Sequence, residues 1–232
     1  MKNITPLPAH IALIPDGNGR WAQRRRLSRL EGHTAGMENT RAVVRCLGEY
    51  GIKYVTLYSF STENWNRPKE EVTGLLDILG RSLEKETNEL HKENVRIRRL
   101  GRLEKLPENL ALAIQWAIDL TRENTGMNLS LAFDYGGRAE IVDAVRHIIN
   151  ARIPPAAVDE RAVSCYLYTA DLPDVDLVVR TGSELRISNF LLWQSAYAEY
   201  YFSDVLWPDF GPPEVTKALL DYSKRQRRFG KL

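Results

Sequence analysis

His10-Ile-Ala-Leu-Ile-Pro-Asp-Gly-Asn-Gly-Arg-Trp-Ala22 is the stretch on which the reading of the fold turns. His10–Ile14 is a short apolar run of the length and composition of a buried strand. Pro15 ends it, and Asp16-Gly17-Asn18-Gly19-Arg20 follows where a helix should begin. A strand, a glycine-rich turn and a helix start form the opening unit of a parallel α/β sheet. The remainder of the chain repeats that alternation. Strands are expected at Tyr54–Phe60, Val95–Leu100, Asn128–Phe133, Asp176–Arg180 and Glu199–Phe202. Helical patterns are expected from Thr34 to Tyr50, from Val72 to Leu90, from Pro107 to Asn124, after Gly136-Gly137 with Ile141, Val145 and Ile148, and after Pro212-Pro213. Pro154-Pro155 opens a connecting stretch, and the remaining chain is too short for an independent core. The expectation is a single α/β domain over residues 1–232, with a mostly parallel central sheet of about six strands flanked by helices.

Bulk composition removes several classes of function. The 232 residues are 44% hydrophobic and 27% charged, ordinary values for a globular protein. No apolar run reaches the roughly 18 residues that mark a membrane-spanning helix. Met1–Ala9 carries neither an apolar core nor a small-residue cleavage pattern, so no secretory signal is expected. Cys46 and Cys165 lack metal-ligand spacing and read as free thiols of a reducing cytoplasm. The formal net charge is only +2, which argues against nucleic acid as the main partner. Positive charge is nevertheless clustered, with five arginines from Arg20 to Arg29, a second group from Arg96 to Arg102 and a basic tail from Lys224 to Lys231. Local clusters of this kind suit small, dense anions such as diphosphates.

Three polar loops follow expected strands, and in an open parallel sheet the carboxyl ends of strands are where ligands bind. In the first, Gly17 and Gly19 let backbone amides approach an anion, Arg20 adds charge, and Asn18 either caps a helix or contacts the ligand. Asp16 repels a phosphate unless a hard cation such as Mg²⁺ bridges the two. A plain Asp-Gly turn explains the same residues without any ligand. The second loop, Ser61-Thr62-Glu63-Asn64-Trp65-Asn66-Arg67-Pro68, offers hydroxyls, amides, an acid, a guanidinium and an indole. It reads as a cover that orders over a ligand, or as a helix start with Asn66 as its cap. The third, Arg180-Thr-Gly-Ser-Glu-Leu-Arg186-Ile187-Ser188, sets two arginines and several hydroxyls within a diphosphate's reach, or forms a solvated salt-bridged loop. His33 lies four residues after Arg29, on the same face if the stretch is helical, and reads as an anion ligand or proton carrier. Asp134-Tyr135-Gly136-Gly137-Arg138 reads as a structural strand-to-helix turn. The leucine stripe from Val72 to Leu90 reads first as a core face.

Together these motifs resemble one family. His10–Ala22, Ser59-Phe-Ser-Thr-Glu-Asn-Trp-Asn-Arg-Pro68, Arg180-Thr-Gly-Ser-Glu-Leu-Arg-Ile-Ser-Asn-Phe-Leu-Leu-Trp193 and Ala196-Tyr-Ala-Glu-Tyr-Tyr-Phe-Ser-Asp-Val-Leu-Trp-Pro-Asp209 resemble the cis-prenyltransferases, and among them the bacterial undecaprenyl diphosphate synthases. The resemblance implies a Mg²⁺-dependent enzyme that condenses isopentenyl diphosphate onto an allylic diphosphate, commonly farnesyl diphosphate. The product expected is a long Z-polyprenyl diphosphate, such as undecaprenyl diphosphate for a cell-wall lipid carrier. It implies that the allylic head group seats on Gly17, Asn18, Gly19, Arg20 and Trp21, with Arg29 and His33 nearby. Asp16 and Glu199 would serve the metal, and Arg180, Arg186, Ile187 and Ser188 would hold isopentenyl diphosphate. Ser61, Thr62, Glu63, Trp65 and Arg67 would close over the substrates, and Asn64 is the family's candidate in proton removal. A neutral amide is a poor base, so a relay or orienting role and proton capture by the released diphosphate both stand open.

Within the family, helices like the leucine-rich one wall a tunnel for the growing chain, and Arg228-Phe229-Gly230 resembles a tail that reaches a partner's active site. A homodimer, a cytoplasmic location and peripheral membrane contact for product release are likewise implied. Two residues depart from the usual pattern: Pro15 stands where many bacterial members have Met, and Ser183 where Gly is common. No adjacent Asp-Asp pair occurs, which disfavours the trans-prenyltransferase route. The alternatives are an enzyme that stops at a short or medium chain, a non-catalytic partner subunit, and an RNA-binding module using the basic tail. Retention of Asp16, Asn18, Arg20 and Arg186 speaks against the partner-subunit reading.

Overall fold

A computed structural model describes residues 4–225. In chain order these form β1 (His10–Ile14), α1 (Asn18–Arg24), α2 (Arg29–Glu49), β2 (Tyr54–Tyr58), a 3₁₀ turn (Thr62–Asn66) and α3 (Lys69–Lys92). They continue with β3 (Arg96–Gly101), α4 (Glu108–Thr121), β4 (Asn128–Phe133), α5 (Gly137–Asn150) and α6 (Glu160–Tyr166). The last elements are β5 (Leu177–Arg180), β6 (Glu199–Phe202) and α7 (Pro212–Ser223). The six strands make one sheet in the order β3-β4-β2-β1-β5-β6, and every neighbouring pair is parallel. The chain belongs to the α/β class, as a single domain around one sheet.

Strand β1 is central and buried at all five positions, and its side chains alternate between two cores. Ile11 and Leu13 join the larger core, with side chains of α2, α3, α4 and α7, while Ala12 and Ile14 face Tyr58, Phe190 and Leu191. Because both faces are covered, the strand reads as a continuous apolar run, which is the pattern of parallel sheets. From β1 the chain builds one side of the sheet with β2, then β3 at the edge and β4 between them, and crosses to β5 on the other side. That reversal opens a crevice at the carboxyl ends of β1 and β5, where Asp16 and Arg180 stand.

Several boundaries differ from the sequence reading, each for a local reason. Helix α2 begins at Arg29 rather than Thr34, because Ser28 accepts from the Glu31 amide and Glu31 reaches back to the Ser28 amide. Helix α6, in the stretch read as a connector, is capped by Asp159 accepting from the Ala162 amide at 2.7 Å. On α5 the buried face runs through Glu140, Ala144 and Ile148, so Val145, 45% exposed, does not share the core with Ile148. The Val72–Leu83 part of the leucine stripe is buried as expected. Arg228-Phe229-Gly230 and most of the basic tail lie outside the described residues.

The close approach of α1 to α2 holds the Asp16 turn in place. A Cβ at Gly32 would stand 2.3 Å from the Asn18 carbonyl oxygen and 2.9 Å from the Ala22 Cβ. Neither backbone can yield without moving the turn, and such overpacking costs about 1–3 kcal/mol. Gly32→Ala is therefore expected to lower the urea midpoint at unchanged slope, and a midpoint equal to that of the wild type would refute this packing.

Candidate active site

A cleft of about 520 Å³ lies at the carboxyl ends of the central strands and gathers side chains from all three loops. Asp16 and Asn18 come from the first, Glu63, Asn64 and Arg67 from the second, Arg180 and Ser188 from the third, and His33 from α2.

Asp16 is held by its backbone as well as its carboxylate. Its amide donates to the Thr181 hydroxyl oxygen at 2.9 Å, and that hydroxyl donates to the Asp16 carbonyl at 2.7 Å. The Trp207 amide donates to the same carbonyl at 3.0 Å. Gly17 then takes φ 106° beneath Leu206, whose side chain would lie 2.7 Å from any Cβ placed there. The carboxylate accepts from Arg180 Nη2 at 2.8 Å and from Arg20 Nη2 at 3.2 Å. Arg180 is 4% exposed. Its other terminal nitrogen donates to the Arg186 carbonyl and to the Ser188 hydroxyl, both at 2.6 Å, leaving Nε without a partner among the described residues. A buried guanidinium needs such pairing, so Asp16 and Arg180 fix each other.

The second loop is tied down differently from its expected role as a cover. Trp65 points away from the cleft, donating from Nε1 to Asp134 Oδ1 at 2.7 Å and packing edge-on against Phe60. Asn64 Oδ1 accepts from the Ser61 amide at 2.9 Å, so the amide's acceptor atom is engaged in the turn itself. The Thr62 amide donates to the Tyr135 carbonyl at 3.0 Å. Arg67 lines the cleft and pairs with Glu71 at 3.0 Å, while Arg29 pairs with Glu71 at 3.7 Å. Burial pushes the Glu63 carboxyl upward, but hydrogen bonds led by that from Asn189 outweigh it and hold the group below its usual value.

Other residues lie farther out. Trp21 donates to Asp209 at 2.8 Å beneath the Arg25 guanidinium, and neither lines the cleft. Arg186, 62% exposed, pairs with Glu184, and Ile187 packs against the smaller core. Glu199 is not brought to Asp16. It pairs in register with Leu177, three residues before Arg180, and its carboxylate accepts from Arg225 at 2.8 Å. Three strand residues put it about 10 Å back from the cleft end of the sheet.

For a Mg²⁺ site the cleft offers two carboxylates, Asp16 and Glu63, the latter already accepting from Asn189, and no group of three His, Cys, Asp or Glu side chains placed for a metal exists among the described residues. That suits Mg²⁺, which commonly takes one or two carboxylates and completes its shell with substrate phosphates and water. It does not suit an all-protein cage.

Beside the cleft lies a second cavity of about 280 Å³, apolar and walled by α2, α3, β2 and β4. Met37, Leu57, Ser59, Ile78 and Leu79 line both, so the two spaces adjoin. The leucine stripe of α3 thus serves as core and as cavity wall together, since Leu79 and Leu83 are buried yet border the opening. Residues not singled out from sequence include Thr181, Trp207 and Asn189, together with Asp134, whose turn read as structural. The signal for Asn189 was its place next to Ser188, but its contacts are with residues distant in sequence.

Burial depresses the His33 imidazole to about pKa 4, assisted by the Arg67 and Arg29 charges and opposed by Glu71. It is neutral at physiological pH, and its Nδ1 lies 3.3 Å from Asn18 Nδ2. Its stabilising contribution is whole above the unfolded value of 6.5 and is lost as pH falls toward about 4. Across that interval, His33→Gln should lose less stability to acid than the wild type in urea titrations. Parallel losses would show that His33 titrates normally.

The described geometry has close counterparts. Residues 14–230 match the family described as putative undecaprenyl diphosphate synthase. An isoprenyl transferase of Heliobacterium mobile is 50% identical, over 97% of this chain and 88% of its own. One from Clostridium perfringens is 46% identical, over 97% of this chain and 90% of its own. Lavandulyl diphosphate synthase from Lavandula x intermedia, solved in complex with dimethylallyl diphosphate, superposes with a TM-score of 0.94 at 36% identity, covering 97% of this chain and 99% of that one. A probable undecaprenyl diphosphate synthase from Campylobacter jejuni superposes with a TM-score of 0.82 at 32% identity over the full length of both. By its sequence and its fold alike, this chain belongs to the undecaprenyl diphosphate synthase family of isoprenyl transferases.

Proposed function

We propose that this protein elongates an allylic diphosphate, farnesyl diphosphate foremost, with isopentenyl diphosphate units in the cis configuration to give a long polyprenyl diphosphate. The observation that carries this reading is the junction of an arginine-lined polar cleft with an apolar cavity, for only an amphiphile with an anionic head and a hydrocarbon tail uses both. The allylic head group seats on the Asp16–Arg20 turn with Arg67 and His33 beside it. The isopentenyl head group seats on Arg180, Arg186 and Ser188.

The allylic carbon–oxygen bond breaks and diphosphate departs with the electron pair. The isopentenyl double bond then attacks the allylic carbon, and loss of a proton from the adjacent carbon restores a double bond. Asn64, its acceptor oxygen held by the Ser61 amide, orients the substrates rather than taking that proton, which passes to the departing diphosphate. Asp16 is the residue that would hold Mg²⁺, and the ion would supply Lewis-acid stabilisation of the departing diphosphate's charge. Arg20 and Arg180, which now neutralise Asp16, are the cations at hand when a diphosphate enters. Glu199, set back from the cleft and paired with Arg225, is left out of this metal site.

The reaction is proposed to run in the cytoplasm in a homodimer whose product leaves at the membrane surface; no helix among the described residues is long and apolar enough to cross it. A shorter product is the second reading, favoured by the likeness to lavandulyl diphosphate synthase.

Purified protein given farnesyl and isopentenyl diphosphates with Mg²⁺ should release a long polyprenyl diphosphate on chromatographic sizing, and a single condensation product would favour the shorter reading. Chelation should abolish turnover. Asp16→Ala should lower kcat by about 10³-fold, the scale of losing one electrostatic stabiliser of the transition state. Undiminished turnover in that variant would overturn the assignment, and wild type inert without a second subunit would mark it as a partner protein.

A further inference from the structure

Asn189 sits between the two substrate loops and belongs, by its contacts, to both. Its backbone takes φ 63°, beside Ser188 at 48°, and after Phe190 Leu191 takes 43°, three left-handed residues in four with no glycine among them. Such conformations persist in non-glycine residues only where surrounding contacts hold them, and Asn tolerates them better than most. Here three contacts come from two elements, the start of α5 and the Ser61–Arg67 loop. The Gly137 amide donates to the Asn189 carbonyl at 2.7 Å, and the Arg138 amide donates to its Oδ1 at 2.9 Å. These are early amides of α5, which no other side chain caps. Asn189 Nδ2 donates to Glu63 Oε1 at 2.9 Å, in the loop on the opposite side of the cleft. Gly136 leaves the room this requires, since a Cβ there would stand 2.7 Å from both Asn189 Nδ2 and Thr62 Oγ1.

The left-handed pair Ser188-Asn189 aims the Ser188 hydroxyl at Arg180, and Arg180 in turn grips Asp16. Tyr58 braces the same turn, donating to the Ser188 and Tyr135 carbonyls and stacking on Phe190 at 4.2 Å. One connected set of bonds therefore runs from Glu63 through Asn189 and Ser188 to Arg180 and Asp16. No other hydrogen bond between side chains of the Ser61–Arg67 and Gly182–Asn189 loops is seen among the described residues.

We propose that Asn189 is a positioning residue that couples the two substrate subsites, so that ordering of the Ser61–Arg67 loop around one diphosphate substrate sets the Arg180–Ser188 clamp for the other. This rests on the proposed two-diphosphate reaction. Asn189 spends its carbonyl and both ends of its side chain on protein, and it acts through Ser188 and Glu63.

The test compares wild type, Asn189→Ala and Asn189→Asp. Asp keeps the acceptor for the Arg138 amide and tolerates the left-handed backbone, but it replaces the donor to Glu63 with a second carboxylate that repels it, so it breaks the link between the loops while keeping the helix cap. Expected is a KM for isopentenyl diphosphate raised about tenfold in both variants, within the usual range of coupling between sites. In wild type that KM should fall as the allylic substrate is raised; in Asn189→Asp this dependence should vanish while the helix-capping contact to the Arg138 amide keeps the protein folded. Glu63→Ala combined with Asn189→Ala should be no worse than the poorer single variant. Hydrogen exchange without substrates should quicken at Ser61–Arg67 in Asn189→Asp, a readout that needs no turnover. Wild type without turnover but with this exchange change would sink the reaction and keep the coupling. Unchanged exchange at Ser61–Arg67, or unchanged substrate interdependence in an Asn189→Asp enzyme that turns over, would overturn the proposal.

Discussion

The ion pair between Asp16 and Arg180 is the constraint on which the functional end of this molecule depends. Arg180 is the last residue of β5 and is buried, so its charge must be compensated where it stands. Asp16 follows the neighbouring β1, in register beside it. An unpaired buried guanidinium would cost several kcal/mol, so the two strand ends cannot separate without exposing that cost. The residues proposed to recognise diphosphate are hung from this pair. Arg20 folds back onto Asp16 from the first turn of α1, and Ser188 folds back onto Arg180 from the third loop. The crevice of the sheet and the chemistry of the cleft are thereby the same place.

Much of this architecture is legible in the sequence, because local pattern and tertiary outcome agree. The strands β1, β4 and β6 appear where their residues place them, since continuous apolar or aromatic runs between turn signals leave little choice. What escaped was set by short-range capping or by distant contacts. Ser28 and Glu31 extend α2 backward by a box that is readable in retrospect, and Asp159 starts a helix in a stretch whose prolines argue for a loop. Trp65 looked like a lid because an exposed loop indole has few other uses. Its partner Asp134 is 69 residues away, and no spacing rule discloses that pairing. Glu199 was carried by motif alone, and only strand register shows that it begins β6 at the far end from the cleft. Composition identifies the kinds of group that meet in the site; the parallel register decides which of them meet.

The cleft also shows how a charged site and an apolar one share a wall without compromise. Leu57 of β2 and Ser59 just after it border both spaces, and α3 contributes Ile78 and Leu79 to both. Alternation along the strand and the 3.6-residue period of the helix let each element present one row to the core and an adjacent row to the opening. The polar groups stay at the strand ends, where backbone and loop hydrogen bonds satisfy them. The second cavity is mostly apolar, and charged side chains such as Glu38, Arg41, Arg81 and Glu86 also border it.

That shared wall has a kinetic meaning. Each isoprene unit added under the proposed reaction lengthens the tail inside the apolar cavity, and every methylene taken from water is worth about 0.8 kcal/mol. The intermediate is therefore retained more firmly with each cycle, so escape slows while condensation continues at its own rate. Retention stops rising once the cavity has no more surface to give, and release then overtakes elongation. A leucine stripe that first serves as packing thus becomes a molecular ratchet, and the spread of product lengths reports how abruptly its teeth run out.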